Sequence, residues 1–142
     1  MRDIEFRGKR VKTGEWIYGY LASDDEICDI NEIATPRRDV DKDTIGEYTG
    51  CNDKYGKKIY EGDIVECVSW NEYFTNAETG DVMQPFRRKM YVSFRNGGFK
   101  MVEPMPYGIE PNVWDIIYNG DVKIIGNIHD NPEFIKNEET YE

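Results

Sequence analysis

Three glycines spaced six apart, Gly50, Gly56 and Gly62, constrain this chain more than any other feature. Each ends or interrupts a short run of strand-forming residues: Tyr48-Thr49 before the first, Lys57 to Tyr60 between the last two, and Asp63-Ile64-Val65 after them. Such runs are too short for stable helices, and glycine is the residue that lets a strand bend or reverse sharply. The three are therefore expected to be corners of a small β structure. Asp53 and Asp63 fall in the same turns, where a carboxylate accepts nearby backbone N–H groups. Tyr48, Ile59, Tyr60, Ile64 and Val65 are expected to supply the apolar area.

Strand signals continue on both sides. Ile4-Glu5-Phe6-Arg7 alternates apolar and charged residues, and a polar turn through Thr13-Gly14 follows. Residues 15–22 place Trp16, Tyr18 and Tyr20 on one face and Ile17 and Leu21 on the other, so this strand requires cover on both faces. Residues 26–33 are expected to pair back on it as a hairpin. The polar stretch 36–43 marks a boundary, giving an N-terminal β arm over 1–43 and a body over 44–136. Residues 71–85 lack a pattern, and the excursion is placed near 71–89. Met90, Val92 and Phe94 alternate with Tyr91, Ser93 and Arg95, a half-buried strand. Asn96-Gly97-Gly98 supplies the positive φ values of a tight hairpin back to Phe99 and Val102. After the proline-rich stretch 103–112, residues 113–118 and 122–128 are expected to form a last hairpin across Asn119-Gly120. Asn131-Pro132 opens a short terminal turn or helix, with Asn as N-cap and Pro at the first position. Residues 137–142 are expected to fray. The pattern as a whole is all-β, a small barrel or a sandwich.

The stretch from Tyr48-Thr49-Gly50-Cys51-Asn52-Asp53 through Lys54-Tyr55-Gly56-Lys57-Lys58-Ile59-Tyr60-Glu61-Gly62-Asp63-Ile64-Val65 resembles the core signature of the YopX family, found in phages, prophages and bacterial genomes. Two flanking blocks agree: Phe6-Arg7-Gly8-Lys9 with Gly14-Glu15-Trp16-Ile17-Tyr18-Gly19, and Ile124-Ile125-Gly126-Asn127-Ile128-His129-Asp130-Asn131-Pro132-Glu133. Three blocks in order span nearly the whole chain. The departures lie in 69–89 and 103–112. The resemblance implies a small SH3-type barrel for the body, preceded by N-terminal strands, and it points to self-association. It implies no established reaction, and it carries over no catalytic, cofactor-binding or metal-binding residues.

Composition narrows the function classes. The chain has 142 residues, enough for one domain with a genuine core. Ten tyrosines and three tryptophans favour pleated surfaces over disorder. A net charge of −10 arises from 18 basic and 28 acidic residues without a basic half, which opposes phosphate backbones at long range. Such a surface solubilises, suits a basic partner, or mimics nucleic acid. Cys28, Cys51 and Cys67 form an odd set without CxxC spacing, so no disulfide framework is expected. The first residues lack an apolar leader core and no apolar run reaches spanning length, so the cytoplasm is the expected compartment and no membrane partner is expected.

Individual side chains add little chemistry. His129 is the only histidine, so any Cys–His pair must join it to Cys28, Cys51 or Cys67, without a local motif. Asp53, Glu61 and Asp63 are the candidate carboxylates for a hard cation, although carboxylates are abundant here. No phosphate-binding glycine loop is present. Three basic groups carry adjacent aromatics: Arg7, Lys9, Arg10 and Lys12 near Phe6, Lys54, Lys57 and Lys58 near Tyr55, and Arg87, Arg88 and Lys89 near Tyr91. They suit either single-stranded nucleic acid or a solvated strand edge. The expectation is a non-enzymatic protein-binding or scaffold domain of phage or prophage type, self-associating as a homo-oligomer and engaging a host protein, with no cofactor. A nucleic-acid-facing module, as single-strand binder or acidic DNA mimic, is the alternative. A carboxylate-metal hydrolase is a weaker one.

Overall fold

The computed structural model of the protein describes residues 4–32, 37–69, 86–102, 113 and 120–134. The chain is mainly β and forms two antiparallel sheets. The first contains β1 (Phe6–Lys9), β2 (Trp16–Ser23), β3 (Glu26–Asp29), β4 (Arg37–Asp39), β5 (Gly46–Asn52) and β6 (Lys58–Tyr60), in the order β4-β3-β2-β1-β5-β6. The second contains β7 (Asp63–Ser69), β8 (Phe86–Arg95), β9 (Gly98–Val102) and β10 (Gly120–Asn127), in the order β10-β7-β8-β9. Because β1 pairs with β5, strands on both sides of residue 43 share one sheet.

The glycine corners are where the sequence put them. Gly50, Gly56 and Gly62 have φ of 88°, 83° and 94°, values that L side chains rarely adopt. At Gly62 the chain leaves the first sheet and enters the second. Its N–H donates to the Val92 carbonyl and its own carbonyl accepts from the Ile128 N–H, both at 2.8 Å. Asn96 and Gly97, with φ of 52° and 83°, make the β8–β9 hairpin.

Apolar side chains collect in two places. The larger cluster includes Ile59, Val65, Met90, Val92 and Met101, each at most 1% exposed, with Cys51, Cys67 and Val122 beside them. A smaller cluster of Ile17, Ile27 and Val40 lies against the first sheet, flanked by Phe6 and Ile45. Alternation along β1 and β2 assigns the faces: Phe6 and Ile17 turn to this cluster, whereas Arg7, Trp16 and Tyr18 turn the other way. Gly8 and Gly19 are glycine for reasons of space. A Cβ at Gly8 would lie 3.1 Å from Ile27 and Val40, and one at Gly19 would lie 1.8 Å from the Cys28 carbonyl oxygen.

Several expectations require correction. The polar stretch after Pro36 contributes strand β4, paired with β3 and held by Arg37 to Glu26 and Arg38 to Glu32. Main-chain pairing and edge ion pairs maintain it without an apolar face. The described partner of β10 is β7; Val113 is helical and buried, and the rest of 113–118, where the other strand of the expected hairpin falls, lies outside the described residues. The terminal turn is a 3-10 turn over Pro132–Phe134, yet the Asn131 side chain accepts from Asn127 N–H at 3.2 Å and packs where a Cβ on Gly126 would sit. Among the described residues no closed barrel forms. The outer edge of β10 meets the 53–57 turn through one backbone bond, Lys54 N–H to Val122 O at 2.9 Å. The Asp53 side chain then takes the Ile124 N–H at 3.2 Å, so no continuous ladder can form there. The excursion at 71–85, the stretch 103–112 and the tail 137–142 lie outside the described residues.

Candidate functional site

A cleft of about 640 Å³ opens where β1, β2 and β6 face the end of β10. Its aromatic wall is Trp16, Tyr18 and Tyr60, and Ile30, Ile124 and Ile125 add aliphatic surface. The Tyr18 and Tyr60 rings meet edge-on at 5.5 Å, and Tyr48 supports Tyr60 from behind at 5.6 Å. All three blocks of the sequence pattern contribute: the first gives Arg7, Trp16 and Tyr18, the second Tyr60 and Asp63, and the third Gly126, Asn127 and Asp130.

Arg7 is central to the cleft wall. Strand alternation drives its side chain inward, where the guanidinium lies 4.5 Å from the Trp16 ring and 5.0 Å from the Tyr60 ring. Arg7 is 5% exposed and Asp63 2%. Arg7 Nη2 donates to Asp63 Oδ1 at 2.8 Å, while Asp63 Oδ2 accepts the Tyr60 N–H at 2.8 Å. Burial pushes the Asp63 carboxyl above its usual range, more than Arg7 and the Tyr60 N–H can pull it back. Arg7 Nε–H is buried and finds no acceptor among the described residues. An orphaned buried donor costs about 1–3 kcal/mol.

The rim carries two more arrangements. Glu5 accepts from Lys58 at 2.8 Å and from the Tyr60 hydroxyl. Burial raises the Glu5 carboxyl, but the bonds from Lys58 and Tyr60 and the Lys58 charge outweigh it, leaving the group lowered. Burial, reinforced by Glu5, raises the Tyr60 phenol. Asp130 accepts from Lys9 at 2.5 Å, from the Trp16 indole at 2.9 Å and from the Asn127 amide at 3.1 Å. The Lys9 and Trp16 bonds hold its carboxyl down to about 2.

The other sequence candidates sit as follows. Asp53 is a turn acceptor, taking the Tyr55 and Lys57 N–H groups, each at 2.9 Å, and that of Ile124. Asp53, Glu61 and Asp63 are not gathered: no group of three metal-ligating side chains lies together among the described residues. His129 stands 6.0 Å from the Trp16 ring, and burial followed by the Arg7 charge lowers its pKa. Cys51 and Cys67 are in the core cluster instead, with burial raising the Cys51 thiol, and Cys28 is on β3. A buried, protonated thiol is a poor nucleophile. Of the basic groups, Arg7, Lys9 and Lys58 are paired with carboxylates, Lys54 lies over Tyr55 and Lys89 over Phe134. The side chains of Arg87 and Arg88 are outside the described residues.

Residues 5–136 match the family described as YopX protein. The chain belongs to the YopX family. A solved structure with the same fold is the crystal structure of protein EF1440 from Enterococcus faecalis, at 20% identity and a TM-score of 0.55. The likeness covers 96% of this chain and 100% of that one. No curated protein matches. The YopX match includes every residue named in the cleft, from Glu5 to Asp130. No helix among the described residues is long and apolar enough to cross a membrane.

Proposed function

We propose that the protein is a non-enzymatic protein-binding module that uses the cleft between β1, β2, β6 and β10 to hold a segment of a partner. One observation carries this reading: a cleft walled by the half-buried Trp16 and Tyr18, with the buried Tyr60 beside them, surrounds a buried arginine with an unmatched donor. Concave, largely preformed pockets with a few convergent polar groups are the usual form of a binding site. The finer reading of β5–β10 as a partly open SH3-type barrel is supported by the tight corners at Gly62 and Asn96-Gly97. The Lys54–Val122 and Gly62–Val92 backbone bonds, which link the two sheets, support it further.

The test is photo-crosslinking with a benzophenone amino acid at position 18, with position 55 as an exposed control. Adducts to one partner from position 18 alone are the expected result. Equal labelling from both positions, or none from position 18, overturns the reading.

A homo-oligomer is favoured separately by the outer end of the β2–β3 hairpin. Tyr20 and Leu21 on β2 are 62% and 43% exposed and Ile30, just after β3, is 50% exposed, leaving this end without cover. Light scattering at micromolar concentration tests this, and a strict monomer refutes it.

A further inference from the structure

One charge in the cleft has no counter-charge. Arg7 is matched to Asp63, Lys58 to Glu5, and Asp130 to Lys9 just outside the lining. The remaining charged residue of the lining is Lys57, whose ammonium makes no ion pair or hydrogen bond among the described residues. Its charge is felt at Asp63, but both oxygens of that carboxylate are already taken, by Arg7 and by the Tyr60 N–H. Arg7, Lys9, Lys57 and Lys58 thus stand against Glu5, Asp63 and Asp130, a local excess of one cation on a chain whose net charge is −10.

Lys57 is fixed at the lip of the cleft. Its N–H donates to Asp53 Oδ1 at 2.9 Å and its carbonyl accepts the Asp53 N–H at 2.8 Å. Asp53 Oδ2 also holds the Ile124 N–H at 3.2 Å, which ties this turn to β10. The backbone is set in advance, so only the Lys57 side chain has to order when it meets a partner group. Apolar surface adjoins it: a register shift at Ile125 breaks the strand alternation, and the consecutive Ile124, Ile125 and Gly126 all line the cleft.

We propose that the cleft takes a partner segment carrying a single carboxylate beside an apolar side chain. The carboxylate pairs with Lys57 Nζ, and the apolar side chain lies against Trp16, Tyr18 and Ile30. This rests on the protein-binding reading and specifies its ligand. A cationic group would meet the local excess of like charge, and a neutral one would leave Lys57 unmatched. A second carboxylate gains nothing, because the other cations are paired and the chain as a whole repels it. An acidic side chain and a chain-terminal carboxylate offer the same chemistry.

The test is an NMR titration that follows the Trp16 indole N–H signal. The probes are acetyl-Ala-Leu-Glu-Ala-amide, its Gln and Lys counterparts at the third position, and acetyl-Ala-Leu-Gln-Ala with a free carboxyl terminus. Salt screens both the Lys57 attraction and the repulsion from the rest of the chain, so all are compared at one ionic strength. A peptide with a carboxylate is expected to bind about two- to fivefold more tightly than the blocked Gln peptide, the worth of an exposed ion pair. Whether the Glu or the free-terminus peptide shows the gain identifies the source of the carboxylate, and either supports the inference. Lys57→Gln, checked for folding by circular dichroism, should abolish the gain and leave the Gln peptide unaffected, and Lys57→Arg should restore it. Tyr18→Ala should weaken every peptide by about tenfold. Equal binding with and without a carboxylate, tightest binding of the Lys peptide, or a carboxylate gain that survives Lys57→Gln overturns the inference. If no peptide binds while position 18 still crosslinks a partner, this inference falls and the protein-binding reading stands. If the crosslink also fails, both fall.

Discussion

Replacing Asp63 with alanine tests the central energetic claim, that a buried ion pair joins β1 to the Gly62 corner. The substitution strips Arg7 of its counter-charge inside a site where both residues are nearly inaccessible. Breaking a buried pair from one side costs about 3–5 kcal/mol, since the surviving charge stays desolvated. The Tyr60 N–H also loses its acceptor, a loss of about 1–3 kcal/mol. The two losses share one carboxylate and do not add in full, so about 4 kcal/mol is expected. With urea m-values of about 1–3 kcal/mol per molar, the unfolding midpoint should fall by about 2 M. Removing the cation as well should recover much of this, so Arg7→Met with Asp63→Asn is expected to be more stable than Asp63→Ala alone.

Arg7→Met adds a check through pH. The folded-state pKa of Asp63 is already above its ordinary 3.8, so the folded protein holds a proton the unfolded chain has released. Its contribution to stability falls as pH rises from 3.8 through the folded pKa. Without Arg7 that pKa rises further, and the penalty of the variant should be smaller at pH 5 than at neutrality. An Asp63→Ala loss below about 1 kcal/mol, within the range of an exposed pair, would mean that the Arg7–Asp63 pair is not buried in solution. A penalty for Arg7→Met that is flat with pH would mean the same.

The remaining predictions concern the turns and the lone histidine. Asp53→Ala should cost about 3 kcal/mol by orphaning three N–H groups; amide exchange at Tyr55, Lys57 and Ile124 should accelerate, and unchanged protection would count against the assignment. Gly62→Ala should destabilise by about 1–3 kcal/mol because φ is 94°, not because of crowding, since the new Cβ would lie 3.6 Å from His129 Nε2. Gly19→Ala should lower the melting temperature more, because its Cβ would meet the Cys28 carbonyl oxygen at 1.8 Å. The lowered pKa of His129 means the unfolded chain takes up a proton first, so stability present above 6.5 is lost as pH falls through the folded pKa. His129→Asn should flatten that slope in urea titrations, and an unchanged slope would assign it to other groups.

The parts of the fold legible in the sequence were those dictated by one residue's own backbone or hydrogen-bonding needs. Gly50, Gly56 and Gly62 are corners because left-handed backbone excludes most other residues, and Asp53 and Asp63 accept N–H groups within the same turns. Pairing was less legible. Strand β4 has no apolar alternation, because edge ion pairs and main-chain bonds suffice for it. Nothing in the local pattern of β10 names β7, far away in sequence, as its partner. The cleft was hidden for another reason. Arg7 belongs to a basic run with Lys9, Arg10 and Lys12, and such runs usually describe solvated edges. The available signal was its period: Arg7 and Lys9 share a face of β1, and their register partners on β2 are Tyr18 and Trp16. Two cations opposite two aromatics on one face suggest packing more than solvation.

That arrangement bears on how the site can exist at all. Arg7, Trp16 and Tyr18 come from the first two strands, whereas Tyr60, Asp63 and Asp130 all come after Gly56. Neither group forms the cleft alone. The N-terminal strands lack the carboxylate that makes a buried Arg7 tolerable, and the later strands lack the guanidinium that shares the Tyr60 and Asp63 environment. Burial raises the Asp63 carboxyl even with Arg7 beside it, so without Arg7 this carboxylate would favour protonation or exposure. The ion pair therefore couples assembly of the cleft to the β1–β5 pairing that unites the halves. A chain beginning at residue 44 should lose the cleft along with the strands, even if β7–β10 still associate.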